Sequence, residues 1–429
     1  MAVFTGFHAY DDEGYFLITL RDYLGGQPLL NPAVPIYGPF FFETVGGLFK
    51  LLGVAPGHDA GRYVTAAIWV IASLVSGLTV YGLTRSLWLG VTAELVMFHV
   101  LGALTGEPMS PSGLVALLLV CLVAAATFWA ARPRATAVLI GAIVGALCLV
   151  KVNVGVFAAL AVAFAWAYRP APPWRVMLVA LILGVISWLP LLLTGGLFLR
   201  QLWVAEFAVG LAISCTAVAW TGFLGLPFVD AKRLPPASGP WLAAGGIAVA
   251  GTSLAIALAG GSNLQDIWNG LVVVALRLPR VFTWPLQINP VFDVWAAVVA
   301  VLAFANWYTG RLRAAGQGAV RVLAGLFTLV STLLLPSSIF LLALPLAWIA
   351  AVRPAGDQDD PVGTYPRLLL PALAVLEALQ AYPVAGTQLS MAAVSLVPVG
   401  AIILADGVRQ LQRAGSPRRA RLAAWAKAT

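Results

Sequence analysis

The chain reads as an all-α, polytopic integral membrane protein. Three observations carry that reading: 61% of its 429 residues are hydrophobic, only 10% are charged, and the mean hydropathy is +0.93. A water-soluble domain carries roughly a quarter charged residues, so this is not a globular domain with a single anchor. About 11–13 transmembrane helices are expected from the apolar runs, together with an extracytoplasmic loop holding short interfacial helices.

Residues 1–60 form that loop. Its first residues, 1–7, are too short and uncharged for a signal peptide. The segment 14–24 reads as one short helix, and 40–52 as a second, bounded by Pro39 and Gly53. The second is apolar on most of its surface, short for a span, and carries Glu43 and Lys50, which places it in the membrane interface. Residues 61–406 make the transmembrane domain, with spans expected at 61–84, 87–104, 112–131, 135–150, 152–168, 176–199, 207–226, 240–260, 291–309, 320–335, 337–351, 368–379 and 389–405. The pairs around Lys151 and Pro336 read as tight hairpins or broken pairs. The stretch 261–289 alternates apolar residues with Asp266, Trp268, Arg277 and Arg280, the pattern of an interfacial helix with a turn. Residues 407–429 form a basic cytoplasmic tail.

Orientation follows from the bases. With these spans, of the 25 Lys and Arg residues only Arg21, Lys50, Arg62, Lys151, Arg200, Arg277 and Arg280 fall on the side of the amino-terminal segment. The others, Arg321 and Arg367 among them, fall on the opposite side as loop or tail bases. By the positive-inside rule the amino-terminal side is outside the cytoplasm, and the expected location is an inner (plasma) membrane. The acidic run Asp357, Asp359 and Asp360 reads as a solvated inside loop. The net charge of +8 comes from bases scattered singly between spans, which does not suggest a nucleic-acid partner. Cys121, Cys148 and Cys215 lie inside apolar runs and read as packing residues. No metal or cofactor pattern is present, and no internal repeat is visible.

Chemistry is therefore expected on the outer face. Asp11-Asp12-Glu13 sits between aromatics, and carboxylates so close need a cation, a metal or a proton among them. One of them, aimed into a cavity, suits a general base toward a hydroxyl; the competing reading is a solvated turn with Asp11 or Asp12 as a helix N-cap. Lys151, with Asn153 beside it, interrupts two apolar runs and suits a phosphate as a point charge; otherwise it snorkels. Tyr382 to Gln388 is a turn flanked by the amides of Gln380 and Gln388, a set that suits sugar hydroxyls or serves as an aromatic anchor. Arg62, Arg200, Arg277 and Arg280 suit a lipid phosphate or anchor to headgroups. Glu94 and His99 lie within a span, where an acid is a functional candidate by default.

The acidic pair, then Gly14-Tyr15-Phe16-Leu17, Arg21, Gly25-Gly26 and Tyr37-Gly38-Pro39-Phe40, resembles the GT-C superfamily of membrane glycosyltransferases, in the flavour of protein O-mannosyltransferases and aminoarabinose transferases. Lys151-Val152-Asn153-Val154-Gly155 is similar to a lysine-containing segment of such proteins. The resemblance implies transfer of a sugar from a polyprenyl-phosphate carrier to an extracytoplasmic lipid, glycan or protein acceptor. It implies Asp12, with Asp11 as rival, as the acceptor-activating carboxylate. Glu13 and Glu43 become acceptor or supporting contacts, and Lys151 with Arg62 holds the carrier phosphate. Tyr37, Asn153, Tyr382 and Gln388 join the substrate-binding set. Such proteins keep a helix ahead of the acidic loop, whose counterpart would lie upstream of Met1. The alternative is a transporter or lipid flippase using Glu94 and Lys151; a structural scaffold would explain the spans but not the acids.

Overall fold

A computed structural model describes residues 2–5, 12–29, 37–128, 132–167, 173–225, 238–309, 317–354 and 361–428. Asp11 and the acidic run Asp357, Asp359 and Asp360 lie outside the described residues. Among those described, the chain is helical, and the only β pairing is an isolated bridge between Trp284 and Val384.

Two short helices, α1 (Ala2–Thr5) and α2 (Glu13–Leu24), precede α3 (Pro39–Leu52), which starts on Pro39 and ends at Gly53 in the left-handed region. The bundle follows with α4 (His58–Thr84), α5 (Leu87–Gly102), α6 (Ser112–Phe128), α7 (Pro133–Val150), α8 (Val152–Ala167), α9 (Pro173–Phe198), α10 (Leu202–Gly225) and α11 (Gly239–Ala259). The stretch read as an interfacial helix with a turn is α12 (Leu264–Trp268), a π turn, and α13 (Val274–Val281). Then come α14 (Phe292–Thr309), α15 (Gly318–Leu333), α16 (Trp348–Ala351), α17 (Thr364–Glu377), α18 (Gln388–Ala393) and α19 (Leu396–Ala428). Among the described residues six helices are long and apolar enough to cross a membrane, and shorter apolar helices accompany them. Apolar side chains at mid-helix face outward: Leu192 is 71% exposed, Ile247 70% and Leu323 68%. In water such a surface would aggregate; against lipid it is the solvated face. The chain is an all-α polytopic membrane protein.

Two helix pairs pack backbone to backbone. A Cβ on Gly141 of α7 would lie 1.9 Å from the Leu242 carbonyl oxygen of α11, and one on Gly245 would lie 2.0 Å from the Val138 oxygen. In α15 and α19, Cβ atoms on Gly325 and Gly407 would come within 2.5 Å of Leu404 N and 2.6 Å of Val322 N. Hydrocarbon gives apolar side chains no reason to prefer each other over lipid, so close approach of small residues holds such pairs together.

Three segments depart from the sequence expectation. The span expected at 337–351 is a 3-10 turn, Ser338–Leu346, followed by the four-residue α16. Pro336 ahead of it and Pro345 within it remove the donors a continuous α-helix needs. The last apolar run is broken between α18 and α19, and α19 then runs without interruption past residue 406 to Ala428. Arg321 and Arg367, read as loop bases, are buried between helices on the side where α19 leaves the bundle, here called the tail end. There Arg367 holds Asp406 through Nη1 at 2.8 Å and Nη2 at 3.1 Å, Arg321 Nη1 lies 3.4 Å from the same carboxylate, and Arg409 closes on it from the next turn. The two buried arginines also donate to carbonyls of Ile349, Ala350 and Val352, at 3.2, 2.9 and 2.8 Å. Those oxygens belong to the four-residue α16 and its exit, where Ile349 also accepts the Val352 N–H at 3.2 Å. Loop placement failed for these bases because a carboxylate and a set of carbonyl oxygens are available to them inside.

Asp406→Ala should cost about 3–5 kcal/mol by leaving two guanidinium groups buried without their carboxylate. It would be read as a drop in apparent Tm of the detergent-solubilised protein, while Leu181→Ala on the lipid face stays within about 0.5 kcal/mol.

Candidate functional site

At the opposite end of the bundle, the loop end, segments far apart in sequence meet. Glu13, the first residue of α2, is fully buried. Arg62 on α4 donates to both its carboxylate oxygens, Nε to Oε1 at 2.8 Å and Nη2 to Oε2 at 2.7 Å, and His58 Nδ1 lies 3.0 Å from Oε2. Burial pushes the Glu13 carboxyl up, but the hydrogen bonds and charges of Arg62 and His58 outweigh it and hold the group below its ordinary value. Arg62, itself 1% exposed, is thereby committed to Glu13. Sequence alone expects both residues to contact substrate; here they face each other and fasten the amino-terminal segment to α4.

The anchored segment reaches the end of α7. Gly38 N–H donates to the Val150 carbonyl at 2.9 Å, and a Cβ on Gly38 would lie 2.0 Å from the Leu149 oxygen. Only glycine allows this approach. It sets Tyr37 against the α7–α8 junction, with the Phe16 and Tyr37 ring centroids 5.4 Å apart. Lys151 is the single residue between those helices, outside both, and the chain reverses there. A Cβ on Gly155 would lie 2.3 Å from Cys148 N, so glycine permits the reversal. The Lys151 ammonium lies 5.9 Å from the Tyr37 ring centroid, a cation–π contact. Partial burial lowers its pKa to about 8, against the opposing pull of Glu107 and Glu377. Burial raises the Tyr37 phenol, with the charges of Glu107 and Asp12 adding to it, and its hydroxyl pairs with Ser110.

The remaining loops close around these groups. Thr387 donates to Glu107 Oε2 at 2.9 Å and lies 2.9 Å from Gln388 Oε1. Gln380 donates through Nε2 to Glu377 Oε2, both side chains being buried. Trp284 N–H donates to Pro383 at 3.0 Å, Ala385 N–H returns to Trp284 at 3.3 Å, and the Trp203 ring lies 6.3 Å from that of Tyr382. Ser262 donates to the Leu29 carbonyl at 2.5 Å.

The structure thus places Asp12, Tyr37, Lys151 and Gln388 in one neighbourhood, with half-buried Asn153 on the first turn of α8. Asp12 is exposed and sits at the N-cap of α2, but its side chain makes no capping bond. Tyr382 is buried and braces the loops beside Trp203. Glu43 is not brought into this group. It faces Ser253 of α11 and Tyr23, and burial raises its pKa. Glu94 packs against Gly77 between α4 and α5, away from Lys151. Glu377 is the functional candidate that sequence reasoning missed. It is an acid at the end of an apolar run, three residues before Gln380, and the rule that flagged Glu94 applied to it equally. Among the described residues no group of three or more His, Cys, Asp or Glu side chains could hold a metal ion. No family model, no curated protein and no solved structure matches the chain.

The arrangement combines an exposed carboxylate, a half-buried ammonium with a lowered pKa and buried acceptor oxygens. It suits a substrate carrying both an anionic group and hydroxyls.

Because the folded Glu13 pKa lies below the unfolded one, its stabilisation is fully present above 4.5, the ordinary glutamate value, and is lost as pH falls through the folded value. Limited proteolysis in the amino-terminal segment should therefore accelerate on acidification in the wild type. In Glu13→Gln cleavage should already be fast at neutral pH and show a flatter pH dependence.

Proposed function

We propose that the protein is a GT-C-type glycosyltransferase that moves a sugar from a polyprenyl-phosphate carrier to a lipid, glycan or protein acceptor. What carries the proposal is Lys151, held at the loop end beside Tyr37 and in the field of Glu107 and Glu377, with Asp12 close enough to act on the same phenol. In this reading the acceptor hydroxyl gives its proton to Asp12 as its oxygen bonds to the anomeric carbon. The bond from that carbon to the carrier phosphate breaks, its electron pair leaves with the phosphate, and the Lys151 ammonium stabilises the charge that develops there. Asn153 and Gln388 line the approach, and Tyr382 supports it. The working face lies outside the cytoplasm, with α19 and its basic residues inside, as the distribution of bases suggests. Polar groups from segments far apart in sequence meet at the loop end, which favours transfer chemistry there over transport, which needs a polar path through the bundle.

Release of free polyprenyl phosphate from a panel of polyprenyl-phosphate sugars, with protein in lipid vesicles, tests this. Wild type should release it, Asp12→Asn and Lys151→Met should lose about 100-fold or more, and release from no donor would sink the reading. Lys151 acts protonated, so activity should fall as pH rises through about 8. Lys151→Arg, if active, should move that limb upward.

A further inference from the structure

Among the buried acceptor oxygens without a partner, two share one short segment at the loop end: Oε1 of Glu377 and Oε1 of Gln380. Both residues are buried, at 0% and 1% exposure. Gln380 Nε2 donates to the other oxygen of Glu377, which ties the carboxyl group to the amide and leaves both Oε1 atoms open to a further partner. Neighbouring polar groups in the cluster are satisfied: Thr387 bonds Glu107, and Tyr37 pairs with Ser110. Native proteins leave few buried polar atoms unpaired, and an unpaired pair beside a half-buried lysine calls for a donor from outside the chain. We infer that Glu377 and Gln380 form the sugar-recognition subsite, in which two hydroxyls of the transferred sugar donate to the two free oxygens while its phosphate meets Lys151. This rests on the transferase reading above and specifies its substrate. The sugar carries free hydroxyls at the two recognised positions; a carboxylate there would set acceptor against acceptor.

The inference is tested with polyprenyl-phosphate sugars lacking one hydroxyl at a time, in vesicles, on wild type, Glu377→Gln and Gln380→Leu. The readout is the ratio of kcat/KM for the intact sugar over each deoxy analogue. Because both donors meet the same preparation, the folded fraction of a variant cancels. Wild type should discriminate about 10- to 100-fold against loss of each of two hydroxyls, the range set by leaving a buried acceptor unpaired. In Gln380→Leu one of those ratios should shrink to within about threefold, since the acceptor is gone. In Glu377→Gln the other should shrink, less completely because an amide oxygen can still accept. Wild-type turnover with ratios that do not change across the variants overturns the subsite and assigns the two oxygens to resident water, while the transferase reading stands. No wild-type turnover with any donor overturns both.

Discussion

The last turn of α7 is the point on which the loop end depends. A helix leaves its final carbonyl groups without intrahelical partners, and in a membrane protein those oxygens must find donors in the chain. Here Val150 takes the Gly38 N–H, and the missing Cβ of Gly38 lets the amino-terminal segment lie against Leu149. One residue later the chain reverses at Lys151. The same turn thus docks the segment bearing Asp12 and Tyr37 and presents the lysine to it. Earlier along α7, at Gly141 and Gly145, the backbone packs against α11.

Charge is buried at both ends of the bundle, for different ends. At the tail end Asp406 draws Arg321 and Arg367 inward, and the arginines also donate to carbonyls of a proline-broken segment. At the loop end Glu13 and Arg62 form a bidentate pair that fastens a soluble-looking segment to a transmembrane helix. Both rest on close contacts, Arg62 to Glu13 at 2.7 Å and Arg367 to Asp406 at 2.8 Å. Lys151 differs: its nearest acids are also bonded to Thr387 and Gln380, and it has no carboxylate of its own in a close ion pair among the described residues. The Glu13 and Asp406 charges sit in close ion pairs, whereas Lys151 is held in a field of acids.

The helices were legible because 3.6-residue packing in lipid asks only for length and hydropathy. The breaks were less so: Pro336 and Pro345 announced trouble in one span, but the interruption before Leu396 has no proline at the break itself. Sequence alone put on one side the segments that meet at the loop end, since alternation of spans fixes which loops share a face. It could not say which residues on that face would neutralise one another. Arg62 looked like a free base until Glu13 was found 49 positions away, and Arg321 and Arg367 looked like loop anchors until Asp406 was placed between them. Partner choice among charges is a property of tertiary packing, and it is where local reading failed.

Glu107 and Thr387, bonded to each other, are separated by 280 positions. Synthesis runs from the amino terminus, so the segment carrying Asp12 is made long before the turn that completes its surroundings. Until then Lys151 and Glu107 stand on a half-built rim, open to lipid headgroups and to other nascent chains. A ribosome that stalls after α17 releases a product with most of its apolar helices and none of the closing loop. Insertion of the apolar helices and completion of the loop end therefore fall at different points in the order of synthesis.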